Sequence, residues 1–228
     1  MSASSNGRRW PALALILGAL VTIVAEAVTA SAWDLRPYSY ADDHVNFLGS
    51  PFVGEFHGIT ISSPLWPVMS AGWIVSGLLI AAAGVQLSRA LGRGRRALVV
   101  VFSALQAVGL ILFATVPLGP DTVAAGLLGL YLAGAFLSVI AGNALVVVIG
   151  LSWRALRLPR GTGIGSFVLG AVGLVSIPVT YGWAPIGIAE RISVYTFLAA
   201  AALTGIALLA RNTKERSLKS SNLDTTPG

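Results

Sequence analysis

Residues 64–96 read PLWPVMSAGWIVSGLLIAAAGVQLSRALGRGRR, and this stretch decides the fold. Residues 64–87 carry no charged side chain, and arginines follow at positions 89, 93, 95 and 96. An α-helix needs about 20 apolar residues to cross a hydrocarbon core about 30 Å thick. Short loops rich in Lys and Arg stay on the cytoplasmic side of a membrane. The stretch therefore predicts a transmembrane helix that ends at a basic cytoplasmic loop.

The rest of the chain repeats this pattern. It has 228 residues, of which 55% are hydrophobic and only 11% charged, and soluble domains average about a quarter charged. This composition excludes a water-soluble fold. We predict an all-α, polytopic membrane bundle over residues 1–211 and a disordered cytoplasmic tail over 212–228. The six predicted transmembrane helices lie near residues 11–31, 64–87, 97–116, 122–151, 163–181 and 192–210.

The basic residues predict the orientation of the bundle. Of the fifteen Lys and Arg residues, all but Arg36 and Arg191 fall in the N-terminal segment, the 88–96 loop, the 152–160 loop or the tail. This alternation predicts a multi-pass protein of the cell membrane with both termini inside. The net charge of +6 is thus explained by topology, and we expect no nucleic-acid partner. An alternative is that Arg8, Arg9 and the apolar stretch up to Ala32 form a cleavable signal peptide.

A polar segment of about thirty residues, 32–63, separates the first two predicted helices and is long for a connector. We expect it to fold over the outer end of the bundle as a cap, with a short strand or hairpin over 53–60. Its polar residues are Asp34, Arg36, Tyr38, Asp42, Asp43, His44, Asn46, Glu55 and His57.

Two motif interpretations of this segment are weak. Asp43, His44, Glu55 and His57 are suitable ligands for a divalent metal, but they lack the spacing that puts two ligands on one helix face. Residues 42–46 resemble a diphosphate-binding aspartate motif, but there is no second copy. Cysteine is absent. Solvated loop charges are the favoured explanation, and we expect neither a metal nor a cofactor.

Glu26 is the most informative ionisable residue, because it lies about fifteen residues into the first predicted helix. A charge inside the hydrocarbon must be neutralised or paired. Arg36 and Arg191 are the candidate partners, and we favour a structural Glu26–Arg191 pair with Glu190 supporting the same arginine. The candidate ligand-binding residues are Glu26, Arg36, Arg191, Tyr131 and Asn143, and the candidate catalytic residues are Glu26, Asp42, Asp43 and His57.

Small residues predict where helices touch. Membrane helices approach closely where Gly, Ala or Ser repeats every four residues. Gly134, Ser138 and Gly142 form such a ladder in the fourth predicted helix. Gln106 and Asn143 are neutral polar residues inside spans, so we expect each to bond to a neighbouring helix or to face a shared cavity with Tyr131 and Tyr195.

The sequence also resembles a known family. Residues 63–73 read SPLWPVMSAGW, and further matching motifs are Pro37-Tyr38-Ser39, Asn46-Phe47-Leu48-Gly49, Gly134-Ala135-Phe136, Gly142-Asn143 and residues 187–192. With these motifs in this order, the chain resembles the bacterial integral membrane family catalogued as domain of unknown function number 998. The resemblance covers residues 11–210. It implies six helices in the cell membrane and no reaction.

Three functional hypotheses follow. The first is a non-enzymatic envelope protein that binds membrane lipids, a membrane-protein partner or a second copy of itself. The second is an intramembrane enzyme that acts on a lipid or isoprenoid at the outer face through carboxylates. It requires Glu26 and the acids of the 32–63 segment to line one pocket. The third, a small-solute transporter, has little support because no inverted repeat is visible.

Overall fold

The computed structural model describes residues 9–56, 58–180 and 184–224. Within these ranges the chain is mostly helical, and its one sheet is an antiparallel hairpin within residues 53–62, as the sequence predicts. The elements in chain order are α1 (Trp10–Ser31), a 3-10 helix (Val45–Gly49), β1 (Val53–Phe56), β2 (Ile59–Ser62), α2 (Trp66–Ser88), α3 (Arg93–Thr115), α4 (Pro120–Ala124), α5 (Leu128–Leu151), α6 (Arg160–Thr180) and α7 (Ile186–Asp224).

Five of the described helices are long and apolar enough to cross a membrane, judged by length and composition. They are α1, α2, α3, α5 and residues 186–213 of α7. In α6 the apolar part, residues 160–176, is shorter. The apolar helices thus indicate a multi-pass membrane protein.

The fourth predicted helix, 122–151, is interrupted in the structure. Its beginning forms the separate α4, and α5 starts at Leu128. Gly126 has φ +71°, the left-handed conformation that glycine adopts without strain. The N–H of Leu127 donates to the carbonyl of Thr122, and the N–H of Gly126 donates to that of Val123. These two bonds form a Schellman motif, which ends α4.

The last helix also differs from the prediction. It begins at Ile186 instead of 192 and continues to Asp224, where the sequence predicts a disordered tail from residue 212. The Lys, Glu, Arg and Leu residues within 214–218 are good helix formers, so they can extend a helix that already has many turns.

The six long helices form a closed ring of antiparallel neighbours. Following the chain, α1 packs on α2, α2 on α3, α3 on α5, α5 on α6 and α6 on α7, and α7 packs back on α1. Because the helices alternate in direction, the 32–63 segment and the 152–160 loop lie at opposite ends. We call these the segment end and the basic end. Arg211 donates to the carbonyl of Leu156 at the basic end.

The ring is tightest between α3 and α5. A Cβ added to Gly109 would lie 2.4 Å from the backbone N of Ser138, and one added to Gly134 would lie 2.8 Å from the backbone N of Phe113. The predicted small-residue ladder is therefore confirmed as a contact surface at Gly134 and Ser138. Apolar side chains form one buried cluster toward each end, and the cluster at the segment end includes Val45, Phe47, Leu48 and Ile61 of the 32–63 segment.

Candidate functional site

A buried ion pair joins α1 to α7 at the segment end. Nε of Arg191 donates to Oε1 of Glu26 across 2.8 Å, and both side chains are buried. The hydroxyl of Tyr195 donates to the other Glu26 oxygen at 2.9 Å. The predicted Glu26–Arg191 pair is confirmed. Both oxygens of the Glu26 carboxylate are therefore bonded within the bundle.

The remaining donors of Arg191 hold the 32–63 segment. Nη1 donates to the carbonyl oxygens of Tyr40 at 2.7 Å and of Asp43 and Gly187, each at 3.1 Å. Nη2 donates to the hydroxyl of Tyr38. The guanidinium carbon also lies 4.8 Å from the ring centroid of Tyr40, within cation–π range. Each nitrogen of Arg191 therefore has a partner within the chain.

Glu190 does not support Arg191, contrary to the prediction. Its carboxylate accepts from the backbone N–H of Val45 at 2.8 Å, and its other oxygen lies 2.6 Å from Nδ1 of His44. Both partners belong to the 32–63 segment. Glu190 thus fixes the start of the 3-10 helix against the start of α7.

A second ion pair lies within the segment itself. Arg36 donates to both carboxylate oxygens of Asp43, with a distance of 2.8 Å from Nη1 to Oδ2, and the backbone N–H of Ser39 donates to Oδ2 at 2.7 Å. Burial alone would raise the pKa of Asp43, but these hydrogen bonds outweigh it and hold the pKa below its usual value. The hydrogen bond to Asp43 in turn raises the pKa of Arg36.

A cavity of about 400 Å³ lies inside the ring beneath the 3-10 helix. Its volume lies in the usual range of small-molecule pockets, about 300–1,000 Å³. Side chains of α1, α2, α3, α5 and α7 line it, and most of them are apolar. Leu132 and Phe136 of α5 line the cavity and are 41% and 51% exposed. The cavity is partly open, and these two side chains form an exposed apolar part of its wall.

One wall of the cavity is aromatic. The rings of Trp73 and Phe113 have centroids 4.5 Å apart, and those of Phe113 and Tyr131 have centroids 5.4 Å apart and are stacked. All three residues line the cavity. They come from α2, α3 and α5, so three helices build one continuous ring face.

The polar groups of the cavity concentrate near the 32–63 segment. His44, Asn46, Tyr131 and Glu190 all line it there. Nδ2 of Asn46 donates to the hydroxyl of Tyr131. Oδ1 of Asn46 is buried and has no hydrogen-bond partner among the described residues. The cavity thus has a mostly apolar interior and a more polar end. The other polar lining residues each carry a single hydroxyl, and they are Thr22, Ser76, Ser138 and Ser193.

The predicted ligand-binding residues separate into three places. Tyr131 lines the cavity, whereas Glu26, Arg36 and Arg191 form the two ion pairs outside it. Asn143 does not line it either, because Nδ2 donates to the carbonyls of Val139 and Ser193, both at 2.9 Å. Asn143 therefore links α5 to α7.

The candidate catalytic residues do not converge. Glu26 is bonded to Arg191, Asp43 is bonded to Arg36, and Asp42 is exposed and accepts from Ser39. None of the three lines the cavity. His57 lies outside the described residues. Among the residues that are described, no group of three or more His, Cys, Asp or Glu is placed to hold a metal ion.

Sequence reasoning missed most of the cavity. Trp73 and Phe113 are apolar residues in apolar helices, and nothing in the sequence distinguishes them from residues that face lipid. Asn46 and Glu190 stand in the quoted motifs, but the sequence does not predict that both line one cavity. Comparison with known proteins adds nothing here, since no family model, no curated protein and no solved structure matches the chain.

Proposed function

We propose that the chain is a six-span membrane protein, with both termini in the cytoplasm, that binds one lipid-like amphiphile in the cavity inside its ring. The observation that carries this proposal is the cavity itself, which combines a mostly aromatic and aliphatic interior with a more polar end. An amphiphile has the same two-part character. Its apolar chain would replace lipid contacts with contacts to the ring, and its headgroup would lie beside Asn46 and Tyr131.

The opening supports entry from the bilayer. Leu128, Leu132 and Phe136 follow one another at intervals of four residues, so they share one face of α5. All three line the cavity and are exposed. An apolar chain can therefore pass between cavity and bilayer without crossing water.

The proposed orientation rests on charge. Arg89, Arg154 and Arg157 lie in the loops at the basic end, and Arg93, Arg95 and Arg96 lie in the first turn of α3. Short basic segments between helices stay in the cytoplasm. The segment end, with the 32–63 segment as a cap, would then face outward. The closed ring supports six spans, because α6 packs between α5 and α7 as the sixth member. We further propose a bacterial cell membrane as the location and membership of the family that the motifs resemble.

Binding without catalysis is the function that the geometry supports best. The enzyme hypothesis needs an acid and a base in one chamber. The cavity does bring His44 and Glu190 together at 2.6 Å, but both Glu190 oxygens are already bonded within the chain. The carboxylates that the enzyme hypothesis names, Glu26, Asp42 and Asp43, do not line it.

Native mass spectrometry of the full chain in a mild detergent tests the proposal. We expect a retained amphiphile on the unmodified protein. Ala135→Phe fills the cavity from α5 and should abolish retention, as should Ser76→Val from α2. Ile140→Phe is the matched control on the same helix, because Ile140 is 54% exposed and does not line the cavity. Equal retention by all four proteins, or none by the unmodified one, would overturn the proposal.

A further inference from the structure

We infer that the cavity selects a neutral amphiphile with a hydroxyl headgroup and excludes lipids that carry a phosphate. This inference rests on the proposed function and concerns the polar end only. It follows from the charges around that end, from the cations that are already engaged, and from the hydrogen-bonding atoms that remain free.

The charge at the polar end is unfavourable for an anion. Phosphate groups are usually bound by Arg or Lys, and neither residue type lines the cavity within the described ranges. The ionisable residues that do line it are His44, Tyr131 and Glu190, and Nδ1 of His44 is already held by the Glu190 carboxylate at 2.6 Å. A phosphate would therefore be placed close to that carboxylate, and the juxtaposition of like charges is unfavourable.

The two arginines of the segment end cannot compensate. Arg36 is held by both oxygens of Asp43. Arg191 is held by Glu26, Tyr38 and three backbone carbonyls. Moving either side chain toward the cavity would leave a carboxylate without its partner. Recruiting a cation for a phosphate thus breaks an existing ion pair.

Helix N-termini also attract anions, and both α5 and α7 begin at residues that line the cavity, Leu128 and Ile186. Within the described ranges, the start of α5 is the one feature of the polar end that favours an anion, and it opposes the Glu190 charge. At α7 this attraction is already used, because the Glu190 carboxylate lies one turn from the start of the helix. The N–H of Ile188 donates to the carbonyl of Ala41. The start of α7 therefore has its own negative partners.

The free atoms match a hydroxyl. Tyr131 accepts a hydrogen bond from Asn46 Nδ2, so its own O–H remains available as a donor. Oδ1 of Asn46 is a buried acceptor without a partner among the described residues, and the Asn46 residue lines the cavity. A hydroxyl both donates and accepts, so one placed beside Asn46 can satisfy the two atoms at once. A simple ester has no proton for Asn46 Oδ1, and the ionised phosphate of a diester has none either.

Three ligands share the same oleoyl chain and differ only in the headgroup, so they isolate the contribution of the headgroup to binding. They are monooleoylglycerol, oleoyl lysophosphatidate and methyl oleate. Each is added to the purified, delipidated full chain in detergent, and the bound fraction is measured by native mass spectrometry. We expect monooleoylglycerol to bind at least about tenfold more tightly than the other two. Methyl oleate has no hydroxyl and leaves the buried polar atoms unsatisfied. Lysophosphatidate keeps a glycerol hydroxyl but brings its phosphate close to the Glu190 carboxylate.

Variants assign the selectivity to the polar end. Tyr131→Phe should lower the affinity for monooleoylglycerol about tenfold and leave methyl oleate unchanged. Tyr40→Phe is the control, because Tyr40 does not line the cavity. Glu190→Gln, which removes the negative charge but keeps the shape, should increase the binding of lysophosphatidate.

The outcomes distinguish this inference from the proposed function. Tighter binding of lysophosphatidate, or equal binding of methyl oleate and monooleoylglycerol, would overturn the inference if Ala135→Phe still blocks the bound ligand, and the proposed function would stand. Binding that Ala135→Phe leaves unchanged for all three ligands would overturn both. Selective binding of monooleoylglycerol that Tyr131→Phe does not reduce would overturn the role given to the polar end.

Discussion

Arg191 Nε donates to Glu26 Oε1 across 2.8 Å, and the two residues are 165 positions apart in the chain. The pair therefore joins the first helix of the ring to the last. Through its other donors the same guanidinium holds the backbone of the 32–63 segment at Tyr40 and Asp43. One side chain thus closes the ring and attaches the segment to it.

The first prediction concerns this pair. Arg191→Met leaves the Glu26 carboxylate buried without its counter-charge, and breaking a buried pair in this way costs about 3–5 kcal/mol. We expect a marked loss of thermal stability in detergent, measured by tryptophan fluorescence. The double variant Glu26→Leu with Arg191→Met should be more stable than Arg191→Met alone, because no charge is left uncompensated.

Arg95→Met is the control for the loss of an arginine, since Arg95 is exposed at the basic end. It should be close to neutral. If Arg191→Met were as mild as Arg95→Met, the pair would contribute nothing to the closure of the ring.

The second prediction is a pH dependence from Asp43. Its pKa in the folded chain is lowered from the ordinary value of 3.8. A lowered folded pKa means that the stabilisation is present above pH 3.8 and is lost as the pH falls through the folded value. Arg36 is partly exposed, so the contribution should be about 1 kcal/mol or less.

Limited proteolysis of the 32–63 segment measures this effect. Between pH 7 and pH 3, cleavage by an acid-tolerant protease should increase in the unmodified chain once the pH is below 3.8, the ordinary pKa of Asp43. Asp43→Asn should show the higher cleavage already at pH 7. Asp42→Asn, the neighbouring control, should behave like the unmodified chain. Identical profiles for all three proteins would contradict the role of Asp43.

The ion pair could be predicted from the sequence because an unpaired charge inside the hydrocarbon core has a high free energy. A carboxylate fifteen residues into an apolar helix needs a partner, and few cations were placed near enough to provide one. The hairpin was predictable from alternation, and a helix-contact face at Gly134 and Ser138 from small residues at intervals of four. In each case a residue or a pattern differs from the apolar helices around it, so it can be recognised in the sequence.

The cavity could not be predicted in this way. In a water-soluble helix the apolar residues mark the interior, but a membrane helix is apolar both toward lipid and toward its neighbours. Phe113, which is buried, and Phe136, which is exposed, look alike in sequence. The partner of Glu190 was wrong for a related reason, because His44 reaches it from an irregular segment that has no periodicity to place it.

The third prediction concerns the contact between α3 and α5. Gly109→Ala would place a Cβ 2.4 Å from the backbone N of Ser138, so the two helices must separate. Overpacking of this kind costs about 1–3 kcal/mol. Gly94→Ala on the same helix is the control, because a Cβ there meets nothing within 4 Å. Thermal unfolding in detergent should show destabilisation for Gly109→Ala only, and equal stability of the two variants would contradict the close contact.

The last prediction decides the number of spans. The chain has no cysteine, so single cysteines introduced at Asp42, Gly92 and Thr213 can be labelled with a membrane-impermeant maleimide without background. All three positions are exposed. If α6 crosses the membrane, Asp42→Cys is labelled on intact cells, and Gly92→Cys and Thr213→Cys are labelled only after permeabilisation.

If α6 does not cross, α7 runs in the opposite direction relative to the membrane and Thr213→Cys is labelled on intact cells. Gly92→Cys serves as the internal reference, because its arginine-rich loop stays in the cytoplasm in either case. Labelling of Thr213→Cys from outside would therefore exclude the six-span arrangement and, with it, the closed ring as a transmembrane structure.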